Sequence, residues 1–129
     1  MHYLKKINYI QLIVFSLIGC HSAKQKFPQI NFTKDTFDFG QINRGDSVTA
    51  IYSFTNKGFE KLIVKKIGTS CGCTNAYSSK DTVDPMEEAR IHATYNSTKD
   101  SEKILKTIIV ESNSNPVLHV LYIAGKVNP

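Results

Sequence analysis

Cysteine is the residue type in this chain with the most chemistry to offer, and it occurs three times, as Cys20, Cys71 and Cys73. Cys71-Gly72-Cys73 sets two thiols one residue apart, which allows three uses. The pair can be structural, packing at a strand end or closing a small disulfide. Cys Cα atoms two apart come within bonding range where the backbone bends, and Gly72 lets it bend. It can be a redox pair, because strained or exposed disulfides are the labile ones. It can supply two thiolates to a soft metal such as Cu(I) or Zn. The domain body adds only His92 and His119 as further ligands, and neither stands at a ligand-like spacing from the cysteines. The structural reading therefore leads and the metal reading comes last. No cofactor is expected.

Cys20 has a different setting. Lys5 and Lys6 precede an apolar run, Ile10 to Ile18, broken only by Gln11 and Ser16, and the small Gly19 stands before the cysteine. That order is the order of an export signal. The run is too short for a mature bilayer span, which needs about 20 apolar residues. Leu17-Ile18-Gly19-Cys20 resembles the bacterial lipobox, in which the cysteine thiol is lipidated and becomes the new N-terminus. Two or more acyl chains, at about 0.8 kcal/mol per buried CH₂, give a stable anchor. The expected organisation is a signal peptide over residues 1–19, a lipidated tether over 20–28 with palmitate-type acylation at Cys20, and one domain over 29–129. No acid follows Cys20 directly, unlike in the signals that send bacterial lipoproteins to the cell surface, and that resemblance implies the periplasmic face of the cell envelope. With Cys20 taken by lipid, any disulfide within the chain joins Cys71 to Cys73.

Cleavage before Cys20 leaves 110 residues. That suits one domain, able to bury roughly 65% of its unfolded surface without heavy crosslinking. The formal charge of +5 loses Lys5 and Lys6 with the signal and becomes +3. The remaining bases are interleaved with acids, as in Lys99/Asp100 and Glu102/Lys103, which is a solvated surface rather than a nucleic-acid face.

The elements that hold the two central cysteines read as strands. Val48, Ala50, Tyr52 and Phe54 alternate with Thr49, Ile51, Ser53 and Thr55. Asn56-Lys57-Gly58 follows as a turn. Leu62 and Val64 open the next strand, which Ile67 joins across a bulge. Ala89, Ile91, Ala93 and Tyr95 alternate in the same way. Ile104, Ile108 and Val110 mark a further strand, and Leu121, Ile123 and Val127 the last, with Gly125 between. Shorter strands are expected at Ile30–Phe32, Phe37–Ile42 and Thr82–Asp84. No helical period appears outside the signal. Seven to eight short strands separated by turns indicate an all-β sandwich.

Several motifs in order then resemble a known family. They are Phe37-Asp38-Phe39-Gly40-Gln41-Ile42, Phe54-Thr55-Asn56-Lys57-Gly58, Leu62-Ile63-Val64, Ser70-Cys71-Gly72-Cys73-Thr74, Lys106-Thr107-Ile108-Ile109-Val110, Ser112-Asn113 and the closing Leu121/Ile123/Gly125/Val127 pattern. Over about residues 35–127 the chain resembles domain-of-unknown-function family fifteen-seventy-three, common in Bacteroidetes and Planctomycetes. The resemblance implies a single immunoglobulin-like β-sandwich, similar to the major-sperm-protein and cilium-associated domains, and no enzymatic assignment. Where the family generally has Pro-Gly, this chain has Asp84-Pro85-Met86. Met does not adopt a positive φ cheaply, so a different turn is expected there.

The other polar residues have plain structural accounts. Asn56, Gly58, Ser112 and Asn113 supply turn geometry and local hydrogen bonds. His92 has solvent-facing parity. His119 shares parity with Leu121 and Ile123, as a hydrogen-bonded histidine at the core's end. Phe37, Phe39, Tyr52, Phe54 and Tyr95 are core aromatics, and Tyr77 is the aromatic closest in sequence to the Cys-Gly-Cys loop that suits a surface site. No Ser/His/Asp set, paired carboxylates or phosphate loop stands out. The expected role is a non-catalytic binding or scaffold module, anchored to the membrane and meeting an envelope protein through its sheets. The alternative is a thiol-disulfide redox or copper-handling protein acting through Cys71 and Cys73.

Overall fold

The computed structural model describes Gly19 and residues 26–129. The expected signal peptide and Cys20 lie outside the described residues. Nine strands occur among those described: β1 (Ile30–Phe32), β2 (Thr36–Asn43), β3 (Ser47–Asn56), β4 (Leu62–Thr69), β5 (Thr74–Ser78), β6 (Thr82–Val83), β7 (Glu88–Asn96), β8 (Glu102–Ser112) and β9 (Leu118–Asn128). They form a four-stranded sheet in the order β1-β3-β7-β5 and a five-stranded sheet in the order β2-β9-β8-β4-β6. The inner faces of the two sheets meet in one core.

The core follows from the two-residue period. Ala50, Tyr52 and Phe54 of β3 and Ala89, Ile91, Ala93 and Tyr95 of β7 point inward and are buried. Ile108 and Val110 of β8 and Leu121, Ile123 and Val127 of β9 face them from the other sheet and are fully buried. Tyr52 also ties the sheets together, its hydroxyl donating to Tyr122 O at 2.7 Å. Burial pushes its phenol pKa up, so the bond keeps its proton.

Two bulges keep apolar residues inward where simple alternation would not. The β4–β8 register shifts between Val64 and Lys66, which brings Ile67 against the core after Leu62 and Val64. The β2–β9 register shifts between Asp38 and Gln41, at Gly40 with φ 74°. Phe37, Phe39 and Ile42 therefore all pack inward despite their changed parity. Phe39 lies over Gly125, where any Cβ would run into its ring.

The ninth strand, β5, is not legible in Thr74-Asn75-Ala76-Tyr77-Ser78. It is an edge strand whose inward positions are Thr74, Ala76 and Ser78, so it carries no large apolar side chain on its core face.

The turn at residues 84–87 corrects an expectation. Met86 does adopt a positive φ, 65°. Glu87 N donates to Asp84 O at 3.0 Å, with Pro85 and Met86 between, which is the arrangement of a type II turn. One contact from outside and one within the turn hold it: Met86 N donates to Asn56 O at 2.7 Å, and Asp84 N to Glu87 Oε2 at 2.9 Å. Met86 thus takes up the glycine geometry. Met86→Gly should relieve about 1–2 kcal/mol of left-handed strain and lose part of it to chain entropy. The expected net gain is about 0.5–1 kcal/mol, read from the urea midpoint.

Candidate functional site

The loop between β4 and β5 crosses from one sheet to the other and carries Cys71-Gly72-Cys73. The two sulfurs are joined in a disulfide with Cα atoms 5.2 Å apart. Hydrogen bonds fix the loop on both sides. Ser70 N donates to Thr107 O at 2.9 Å, and Thr107 N donates to Ser70 Oγ at 3.1 Å. Asn96 N donates to Cys73 O at 2.9 Å. Thr69 Oγ1 lies 3.1 Å from both Cys71 O and Thr74 O. Thr74 Oγ1 is 3.8 Å from Cys71 Sγ and 3.7 Å from Cys73 Sγ. Gly72 has neither a left-handed φ nor a close neighbour, and a Cβ there would project into open space. The bend at residue 72 does not depend on glycine.

The disulfide walls an open hollow of about 410 Å³, shared with Asn96, Thr98, Lys99, Asp100 and Lys106. Lys106 is the residue that a reading of the sequence for function passes over. Its parity is that of Ile104, Ile108 and Val110, so it starts from a core-facing position. A lysine there needs a counter-charge. Asp100 provides it, with Oδ2 3.0 Å from Nζ. Tyr95 OH donates to the same carboxylate at 2.7 Å, and Lys106 Nζ stands 5.8 Å from the centre of the Tyr95 ring. The Tyr95 hydrogen bond is the largest influence holding the Asp100 carboxyl below the usual carboxylate range; burial opposes it, and the Lys106 ammonium adds to the lowering. Burial, then Asp100, pushes the Tyr95 phenol up. The charged-residue parity on β8 was the available signal for this cluster.

The histidines are placed elsewhere. His92 stacks on Tyr77 across the β5–β7 pair, with ring centroids 5.0 Å apart and planes 6° apart. His119 Nε2 lies 3.2 Å from Ser114 Oγ and 3.1 Å from Pro116 O. Burial lowers its pKa, so it serves as a neutral structural group. Among the described residues, no three His, Cys, Asp or Glu side chains converge as a metal set. The described site is therefore a disulfide loop beside a half-buried Tyr–Asp–Lys cluster.

The family model "Protein of unknown function (DUF1573)" matches residues 30–127, the whole sandwich and its site loop. The chain belongs to this family. Solved structures agree on the immunoglobulin-like fold. A protein of unknown function from Porphyromonas gingivalis W83 superposes with TM-score 0.70 at 15% identity, covering 83% of this chain and 50% of that one. The ASH/PapD-like domain 7 of human CEP192 gives 0.61 at 10% identity, covering 88% and 94%. The VesB protease of Vibrio cholerae gives 0.58 at 9% identity, covering 79% and 32%. The chain thus spans about half of the Porphyromonas protein and about a third of the protease. At these identities the likeness is one of fold. No curated protein sequence matches the chain.

Proposed function

We propose that this DUF1573 domain is a non-catalytic binding module, exported to the periplasmic face of the cell envelope and anchored through acylated Cys20. The anchor rests on the order of Lys5/Lys6, the short apolar run and Gly19-Cys20. The binding role rests on one observation, the outer face of the five-stranded sheet. Leu105, Ile109, Leu118 and Val120 are all exposed there on adjacent strands β8 and β9, and Ile109 pairs directly with Val120. An apolar strip of this kind on a sheet face marks an interaction surface. The partner class is an envelope protein, because its apolar groups replace the water that the strip now faces.

Two measurements test the parts separately. Palmitate labelling of the full chain should be lost in Cys20→Ala, and labelling that persists contradicts the anchor. Ile109→Lys with Val120→Lys should leave the thermal midpoint within a few degrees and abolish the complex crosslinked from native envelopes. A complex of unchanged yield contradicts the binding face.

A second reading, thiol-disulfide exchange, is favoured by the bonded sulfurs at the rim of the hollow. It expects Cys71→Ser with Cys73→Ser to fold normally and lose a redox or copper phenotype. A double variant that folds normally and keeps every such phenotype contradicts this reading.

A further inference from the structure

The two poles of the sandwich differ in what they expose. The N-terminal segment enters at the pole made by residues 57–61, 84–87 and 113–117. Lys57 N donates to Gln29 O at 2.8 Å there, and Met86 N to Asn56 O at 2.7 Å. Ile63 N donates to Asn113 Oδ1 at 2.7 Å, and Asn115 shares a surface hollow of about 420 Å³ with Phe27, Pro28 and Gln29. Large apolar side chains stand out from each of these segments: Phe27 at 67% exposure, Phe59 at 59%, Met86 at 66% and Val117 at 50%. Two ion pairs lie at this pole, beside the exposed Lys26, Lys57 and Glu60. Lys61 Nζ lies 3.8 Å from Asp84, and Lys80 pairs with Glu87.

The position of Cys20 gives this pole a neighbour. Only six residue steps separate Cys20 from Lys26, a reach of at most about 22 Å. The Cys71–Cys73 loop lies at the other end. β4 runs from Leu62 at the anchored pole to Thr69, a rise of about 23 Å, and the loop follows at once.

We propose that the pole bearing Phe27, Phe59, Met86 and Val117 is a bilayer contact. Its apolar side chains enter the boundary between headgroups and acyl chains, and the domain stands upright with the Cys71–Cys73 hollow facing away from the membrane. The proposal rests on the lipid-anchor reading of Cys20. A short tether holds the pole at high effective concentration near the surface, so that four apolar side chains suffice where a free domain would not bind. The contact is apolar and needs no anionic lipid.

The chain contains no tryptophan, so a single introduced one reports its own surroundings. Full chains purified in lipidated form, carrying Phe27→Trp, Val117→Trp or the distal Lys99→Trp, are reconstituted into dioleoylphosphatidylcholine vesicles with or without brominated acyl chains. All three positions are exposed, and thermal melts check each fold. Emission from Phe27→Trp and Val117→Trp should shift to the blue and be quenched by the brominated lipid, at low and high salt alike. Lys99→Trp should show neither effect. Protein that floats with the vesicles while no position is quenched overturns the contact and leaves the anchor intact. Quenching at Lys99→Trp overturns the orientation. Protein that does not float at all removes the anchor, and the contact with it.

Discussion

Replacing Asn56 with alanine will lower the stability of the domain by about 3–5 kcal/mol, seen as a fall in the urea midpoint at unchanged slope. Asn56 is fully buried and uses its whole hydrogen-bonding capacity. Its Oδ1 accepts from Gln29 N at 3.2 Å and Gly58 N at 3.0 Å. Its Nδ2 donates to Glu60 O at 2.7 Å and Val83 O at 3.0 Å. One side chain thus joins the entering segment, the β3–β4 turn and β6. Gly58 sits so close to Phe27, Pro28 and Gln29 that even a Cβ would collide with their backbone, which leaves little room for water to replace the lost bonds. Total stabilities of such domains are about 5–15 kcal/mol, so the change removes about a fifth or more of the whole. Asn56→Asp should be no better, because a carboxylate oxygen would face the Glu60 and Val83 carbonyls in place of the amide hydrogens. A loss below about 1 kcal/mol would show that the turn holds without this side chain.

Asp100→Ala is the second large effect, about 2–4 kcal/mol at pH 7. It strips the counter-charge from Lys106, whose side chain is 17% exposed, and the acceptor from the Tyr95 hydroxyl. Lys106→Met in the same chain should recover part of the loss, since it removes the unpaired charge. The pH dependence has a definite sign. The folded-state pKa of Asp100 is depressed, so the unfolded chain binds its proton first as pH falls. The stabilisation is fully present above the ordinary carboxylate value of about 4 and is lost as pH drops through the lower folded value. The gap between wild type and Asp100→Ala, measured by urea unfolding, should therefore be wide at pH 7 and narrower at a pH well below about 4. An equal gap at both pH values would mean that the carboxylate charge does not stabilise the fold.

The sequence is readable where one face of a strand is plainly apolar. Ala50/Tyr52/Phe54 and Ala89/Ile91/Ala93/Tyr95 announce β3 and β7 because alternation and burial are the same fact. β5 escapes because Thr74, Ala76 and Ser78 fill its inward face without any large side chain. Met86 misleads for a different reason. Local propensity argues against its φ, and the bonds to Asn56 and within residues 84–87 override it. His119 is legible from parity, since a histidine in register with Leu121 and Ile123 must find partners at the core's end.

The candidate site divides in the same way. Cys71 and Cys73 draw the eye as the only two thiols of the domain body. The Asp100–Lys106–Tyr95 cluster beside them does not, because Lys99-Asp100 and Glu102-Lys103 read as ordinary mixed surface charge. The distinction lies in which parity each lysine occupies on β8. Lys106 shares the face of Ile108 and Val110, whereas Lys103 has the opposite parity.

The central claim is that the outer face of β8 and β9 is where the anchored domain meets an envelope protein. Site-specific photocrosslinking in intact envelopes tests it most directly. A photoreactive side chain placed at Ile109 should yield one discrete adduct, and the same group at Thr94, an exposed position on the four-stranded sheet, should yield none. Adducts from Thr94 and Ile109 alike, or from neither, would contradict the account.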